Sequence, residues 1–327
     1  MREFVFDFEK PVVELERKIA EMRKLSEDDG VDISEEIVQL EEKAHTLRQE
    51  VFSSLTRWQK VQLARHPNRP YTLDYIAGMT ERFQEIHGDR TFADDHAIVS
   101  GFGTIQGWNV AIIGHQKGRG TKQNLYRNFG MPHPEGYRKA LRVMKLAEKF
   151  NRPVITLVDT PGAYPGLGAE ERGQAEAIAR NLFEMSRLQV PIITVVIGEG
   201  GSGGALALAV ADKVIMFEYS IYSVISPEGC ASILYRDAAM ADRAAESLRL
   251  TAGDLKELGI ADTILPEPTG GAHQDWETAI GAAKKAIVEA LEDLNAYTVD
   301  ELIDRRVAKF GDMGYFEDSE DEEQARA

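Results

Sequence analysis

A single cysteine, Cys230, stands among 327 residues. One cysteine excludes an internal disulfide, and no cysteine cluster is there to hold zinc. Long apolar runs are also missing, none approaching the roughly 20 residues a membrane-spanning helix needs. Met1–Lys10 mixes both signs of charge and lacks the apolar core of a signal peptide, so a cytoplasmic protein without membrane contact is expected. Basic charge is scarce: 38 lysines and arginines face 54 acids, for a net charge of −16. An acidic body is the wrong surface for a phosphate backbone, which argues against nucleic acid as a partner. The seven histidines show no H-E-x-x-H or other metal spacing, so no metal is expected in this chain. What remains, 43% hydrophobic and 28% charged, is the composition of a globular protein.

Residues 1–57 read as a helical hairpin. Val12, Leu15, Ile19 and Met22 recur at helical steps, and so do Ile37, Leu40, Ala44, Leu47 and Val51. Between them Ser26–Gly30 reads as a breaker, and Asp32 with Glu35 as a helix start. Such narrow apolar stripes bury too little alone, so the hairpin must lean on the rest of the chain or on another subunit. Residues 58–296 form the main unit, and 297–327 a final helix and an acidic tail. Glu317–Ala327 holds six acids and one arginine and reads as a solvated end without assigned function.

Within the main unit, β-rich runs at Ala97–Phe102 and Val110–Ile113 precede a helix over Gly136–Phe150. Pro153–Val158 is an uninterrupted apolar strand, and 38 residues later Pro191–Val196 repeats it almost residue for residue. Runs this apolar fit strands buried on both faces. The pattern of Ala175, Ile178, Leu182 and Met185 predicts a helix over 170–188 between them, which makes a βαβ unit. Lys213–Phe217 is a third such strand, and two more helices are expected within 274–309. The class is α/β.

Both repeated strands end in glycine-rich corners, Asp159–Gly166 and Gly198–Ala205, the second opening a helix that takes in Leu206–Ala209. Glycine lets backbone come close to a ligand, and first-turn amides have no helical partner. Two such corners on neighbouring strands can aim amides at one developing negative charge, the requirement for an oxyanion hole. Close strand-to-helix packing explains such glycines equally well.

Gly198, Gly200 and Gly203 also satisfy G-x-G-x-x-G, with Glu218 about 20 residues on, so a dinucleotide-binding dehydrogenase is the alternative enzyme. A structural partner without catalysis is the other alternative. Asp159–Gly162 has the letters of a nucleotide triphosphatase corner, but no phosphate loop precedes it. Ser202 has no convincing Asp and His partners for a nucleophile elbow. His115–Arg119 is a polar, basic loop suited to a carboxylate or phosphate, or simply solvated. Ser226–Glu228 reads as a helix cap, N1 proline and first-turn acid.

Several of these segments together carry a resemblance: Leu63–Pro67, Arg69–Tyr75, Ile113–Arg119, Asn128–Met131, Pro134–Ala140, Asp159–Gly166, Gly198–Ala205 and Ser223–Ser232. The chain resembles the alpha subunits of bacterial-type acetyl-CoA carboxylase carboxyltransferases, from about Phe6 to His273 and more loosely to Arg306. The resemblance implies a crotonase-like (ClpP/crotonase) superhelix of repeated ββα units. It implies a beta-subunit partner in an α2β2 assembly, with biotin carboxyl carrier protein and biotin carboxylase as further partners. The implied reaction moves a carboxyl group from carboxybiotin to acetyl-CoA to give malonyl-CoA for fatty acid synthesis, in an ATP-dependent complex. Zinc and most of the CoA site are expected in the beta chain.

The family's oxyanion amides fall on Gly203 and Gly204, with Gly162 and Ala163 as the second corner. Gly200, Gly201, Tyr164, Lys117 and Arg119 are candidate cofactor-binding residues. Biotin carries the hard step in this scheme, which explains why no His–Asp pair is evident. A β-branched residue at Gly204 is expected to block transfer while leaving assembly intact.

Overall fold

The computed structural model describes residues 4–29 and 33–314. The N-terminal hairpin consists of α1 (Lys10–Asp29) and α2 (Ser34–Ser53). Helix α1 runs into the expected breaker, as far as Asp29. Asp32 lies outside the described residues; Ile33 occupies the cap of α2, without a side-chain hydrogen bond. Ile19 packs on Ile37 and Ala44 in the hairpin seam, with Leu15, Met22 and Leu40 around them. Phe52 packs with Leu63 and Tyr219, which fixes the hairpin to the body.

The body opens with α3 (Arg57–Ala64) and α4 (Thr72–Met79), then β1 (Arg82–Glu85), β2 (Ile98–Ile105) and β3 (Trp108–His115). Next come α5 (Gly120–Tyr126), α6 (Pro134–Lys149), β4 (Val154–Thr160), α7 (Leu167–Glu171), α8 (Gln174–Ser186), β5 (Ile192–Gly201) and α9 (Ser202–Leu206). The chain continues through β6 (Lys213–Phe217), β7 (Ile221–Ser223), α10 (Pro227–Leu234), α11 (Ala241–Leu248), α12 (Ala252–Glu257) and β8 (Thr263–Leu265). It closes with α13 (Trp276–Leu294) and α14 (Val299–Gly311). The acidic tail lies outside the described residues.

One mixed sheet runs β1-β2-β3-β4-β5-β6-β8, with β7 paired to the far end of β5. The β1, β2 and β3 ladders are antiparallel; β3, β4, β5, β6 and β8 are parallel. Strand periodicity sends alternate residues to opposite faces. Ile155, Leu157, Ile193 and Val195 join α4 and α13 on one side; Val154, Val158, Ile192 and Val196 join α6 on the other. Both faces are covered, so β4 and β5 read as unbroken apolar runs.

Two helices differ from the sequence reading. The helix expected over 170–188 is two, α7 and α8, because Gly173 adopts φ +82 between them. The helix after the second glycine corner lasts five residues, Ser202–Leu206. Ser226 does cap α10, its hydroxyl accepting from the Gly229 amide at 3.1 Å, with Pro227 as the first helical residue.

Candidate active site

The repeated strands β4 and β5 are parallel neighbours with Val154 opposite Ile192 through Val158 opposite Val196. Their C-terminal corners therefore lie side by side. A Cβ on Gly201 would stand 2.2 Å from the Pro161 carbonyl oxygen, and one on Gly204 2.4 Å from the Ala163 nitrogen and 2.5 Å from the Gly162 carbonyl carbon. On Gly198 it would meet Asp159 Oδ1 at 2.6 Å. The glycines of the second corner thus let the two backbones touch. Gly203 differs, since its nearest neighbour would be Ile178 at 3.6 Å.

Gly203 and Gly204 lie in the first turn of α9, where the helix offers their amides no partner. Ser202, just before them, is held at φ +56. In the first corner, Gly162 sits at φ +152 and its amide donates to Thr160 Oγ1 at 3.1 Å. The Tyr164 amide donates to the Pro132 carbonyl at 3.0 Å. Ala163 lies between them, its nitrogen against the Gly204 backbone. Gly203 also borders an apolar cavity of about 310 Å³, with Leu206, Tyr222, Val224 and Phe310 in its wall.

An ionic chain runs beside the corners, buried at Asp159 and Glu199 and partly exposed at Lys117, Arg65 and Glu228. Lys117 Nζ lies 2.6 Å from Asp159 Oδ1 and 3.3 Å from Glu199 Oε2, joining a residue of each corner. Glu199 continues to Arg65 at 2.6 Å, and Arg65 to Glu228 at 2.6 Å. Asp159 Oδ1 also accepts from the Glu199 amide at 2.9 Å. Burial opposes the Lys117 charge, but the Asp159 and Glu199 carboxylates outweigh it and raise its pKa above the usual lysine value. Burial likewise opposes the Glu199 charge, and Lys117 and Arg65 outweigh it to hold that carboxyl low.

Above this chain lies His115, fully buried. Its Nδ1 faces the Asp159 amide at 3.4 Å and its Nε2 the Gly204 carbonyl at 3.2 Å. Burial lowers its pKa to about 3, so the ring is neutral at physiological pH.

The expected site residues therefore divide. Gly203, Gly204, Gly162 and Ala163 come together. Gly200 and Gly201 are adjacent, but Gly201 turns its open side to Pro161 and Gly200 to the Ile221 carbonyl, 3.0 Å from an added Cβ. Lys117 is neither a solvated residue nor a free cation, because Asp159 and Glu199 claim it. Arg119 bonds Asp74 at 2.7 Å and the Arg69 carbonyl at 3.1 Å, with its guanidinium over Tyr71 and Trp276. Tyr164 stacks on His133, ring centroids 4.1 Å apart. Arg65, Glu199 and Glu228 were not picked out from the sequence. Their one signal is charge inside otherwise apolar or capping segments, and their partners lie 134 and 163 residues apart in the chain.

The dinucleotide reading is corrected here. A five-residue helix follows Gly198–Gly203. Glu218 bonds the Glu267 amide at 3.3 Å and does not reach toward the glycines. Ser202 has no His–Asp pair assembled on it among the described residues.

Among the described residues one cluster has the composition of a metal site: Glu9, His66 and His273, with ligand-type atoms within 4.8 Å of one another. The imidazoles stack at 3.8 Å, and His273 Nε2 lies 3.3 Å from Glu9 Oε1. His66 Nδ1 accepts from the Asn68 amide at 3.1 Å, so the neutral ring carries its proton on Nε2. Neither nitrogen of His66 then offers a free lone pair to an ion. The cluster is a contact between the segment preceding α1 and the body.

The family model described as acetyl co-enzyme A carboxylase carboxyltransferase-like matches residues 5–314. An acetyl-coenzyme A carboxylase carboxyl transferase subunit alpha from Geobacter metallireducens is 57% identical over 314 residues, covering 96% of this chain and 98% of that one. Among solved structures, transcarboxylase 12S superposes with a TM-score of 0.57 at 22% identity, over 70% of this chain and 42% of its own. A Pseudomonas malonate decarboxylase hetero-tetramer in complex with coenzyme A gives 0.58 at 16% identity, over 78% and 95%. At these identities the structural likenesses concern the fold, which is the expected crotonase-like one.

Proposed function

The chain belongs to the family of acetyl-CoA carboxylase carboxyl transferase alpha subunits, and from that membership we propose how its two apposed corners serve carboxyl transfer. The alpha chain acts with a beta subunit, in an α2β2 assembly that a biotin carboxyl carrier protein visits in the cytoplasm. Biotin, when carboxylated on its carrier, supplies the transferable carboxyl group. Zinc, in this reading, belongs to the beta chain.

The observation that carries the reading is the close approach of the Gly204 backbone to Gly162 and Ala163, with the neighbouring Gly203 in the wall of an apolar cavity. The Gly203 and Gly204 amides stand at the electropositive start of α9. They oppose negative charge that develops on an oxygen at the rim, with Ala163 as a third donor. One donor of such a hole contributes about 3 kcal/mol to the barrier. The walls of Leu206, Tyr222 and Phe310 fit a ring with an apolar body and a polar edge, and they exclude water from the reacting edge. Lys117, Asp159 and Glu199 stay out of contact with substrate and fix the distance between corners. Among the described residues the side chains at the rim include no general base, and orientation plus fixed dipoles supply the catalysis.

The testing experiment runs the transfer backwards, as malonyl-CoA decarboxylation stimulated by free biotin, with the chain alone and with its beta partner. Activity only with both chains is the expected result. A stable complex with a correctly folded beta chain and no activity refutes the assignment.

A further inference from the structure

Resting on that reading, we infer that His115 is a positioning residue for carboxyl transfer, one imidazole that sets the Gly204 peptide against the Asp159 corner. Glycine has the widest backbone freedom of any residue, so a catalytic amide on glycine must be pinned from outside. The carbonyls of α9 show where the pin is needed. Gly203 O accepts from the Ala207 amide at 3.0 Å, an i+4 bond. Ala205 O accepts from Leu208 at 3.0 Å and Leu206 O from Ala209 at 2.9 Å, both i+3 bonds. The change of register passes over Gly204, leaving its buried carbonyl without a helical partner. An orphaned buried carbonyl is costly, and His115 Nε2 fills the position at 3.2 Å.

The other ring nitrogen settles the tautomer. The Gly204 carbonyl at 3.2 Å can only accept and the Asp159 N–H at 3.4 Å can only donate, so together they place the proton on Nε2 and leave Nδ1 the acceptor, with the Leu157 backbone also beside the ring. Burial keeps the ring neutral, which preserves that single arrangement. The backbone that carries the ring is held too, since the His115 carbonyl accepts from Thr72 Oγ1 at 2.5 Å. Nδ1 therefore reads the first corner and Nε2 the second. The Gly203 carbonyl's bond to Ala207 holds the peptide that carries the Gly204 amide, and His115 holds the peptide that follows, so neither plane flanking Gly204 can swing and that amide keeps its aim. His115 touches no reacting atom in this arrangement.

Two near-isosteric replacements separate the two nitrogens. His115→Gln places an N–H donor near the Nε2 position, whereas His115→Asn places its polar atoms near the Nδ1 position. In the full chain reconstituted with its beta partner, His115→Gln is expected to keep kcat for biotin-stimulated malonyl-CoA decarboxylation within about threefold. His115→Asn is expected to lose roughly tenfold or more in kcat with KM for malonyl-CoA unchanged, the signature of an interaction used in the transition state. Thermal midpoints and beta-chain binding are measured alongside. Equal kcat for both variants, or losses that track the thermal midpoint alone, overturns the inference. A wild-type complex that is itself inactive overturns the functional reading instead.

Discussion

Gly204→Ala introduces one methyl group where two backbones already touch. Its Cβ would lie 2.4 Å from the Ala163 nitrogen and 2.5 Å from the Gly162 carbonyl carbon. Unstrained heavy atoms sit about 3.5–4.0 Å apart, so one corner must retreat by about 1 Å. Neither neighbour is a flexible side chain. Overpacking of this kind costs about 1–3 kcal/mol of stability. A misplacement of about 1 Å in a catalytic constellation costs on the order of 100-fold in rate. The control is Gly253→Ala in α12, where an added Cβ meets nothing within 4 Å. Alanine there is expected to be neutral or stabilising by roughly 0.5–1 kcal/mol. Urea unfolding and biotin-stimulated malonyl-CoA decarboxylation, each with the beta partner present for the activity arm, read the two effects. Gly204→Ala matching Gly253→Ala in both assays refutes the close approach of the corners. The expectation that a β-branched residue at Gly204 blocks transfer while leaving assembly intact gains a stability cost accordingly, because the clash acts on the fold of the corner as well as on its amides.

Other outcomes follow from buried charge and backbone geometry. Arg69 is 1% exposed and grips Glu267 through two 2.8 Å bonds, so Arg69→Met strands a buried carboxylate and should cost about 3–5 kcal/mol by urea unfolding. Hydrogen bonds from Arg57 hold the Asp254 carboxyl well below the usual carboxylate range. A depressed folded pKa stabilises the protein above the unfolded value of about 3.9, and the gain is lost as pH falls through that region and below. Asp254→Asn should therefore lower the urea midpoint at pH 7, with the gap to wild type starting to narrow below about pH 4 and closing only below the depressed folded value. Gly173→Ala forces a side chain into φ +82 and should cost about 1–2 kcal/mol, measured as a lower thermal midpoint with transfer retained.

The central strands were legible because they carry two independent signals, apolar continuity and an internal repeat. Lys213–Phe217 emerged with its expected ends, and Pro153–Val158 and Pro191–Val196 gave the starts and cores of β4 and β5. The short strands β1, β7 and β8 carry neither signal; they are set by the neighbours they pair with. The break at Gly173 was hidden because the apolar spacing continues across it, while a left-handed residue changes only the backbone direction. The glycine corners were visible as composition, but each glycine's reason for being there was not. Gly201 and Gly204 answer to backbone across the gap, whereas Gly203 has room for a Cβ in ordinary contact with Ile178. Lys117 looked like a solvated cation because its acids, Asp159 and Glu199, lie 42 and 82 residues away.

The matched ladder of β4 and β5 has a consequence for engineering. Thr156 and Thr194 stand opposite each other and share a 2.7 Å hydrogen bond in which one hydroxyl donates, while the other donates to the Leu208 carbonyl, 2.7 Å from Thr156 and 3.2 Å from Thr194. The corners are thus set from inside the sheet, by a fixed registration of two strands, and not by the length of chain that joins them. A slip of one residue in that registration would turn every apolar side chain to the wrong face. New chain ends, or a guest loop, belong outside that ladder, whose pairing keeps the two halves of the site in step.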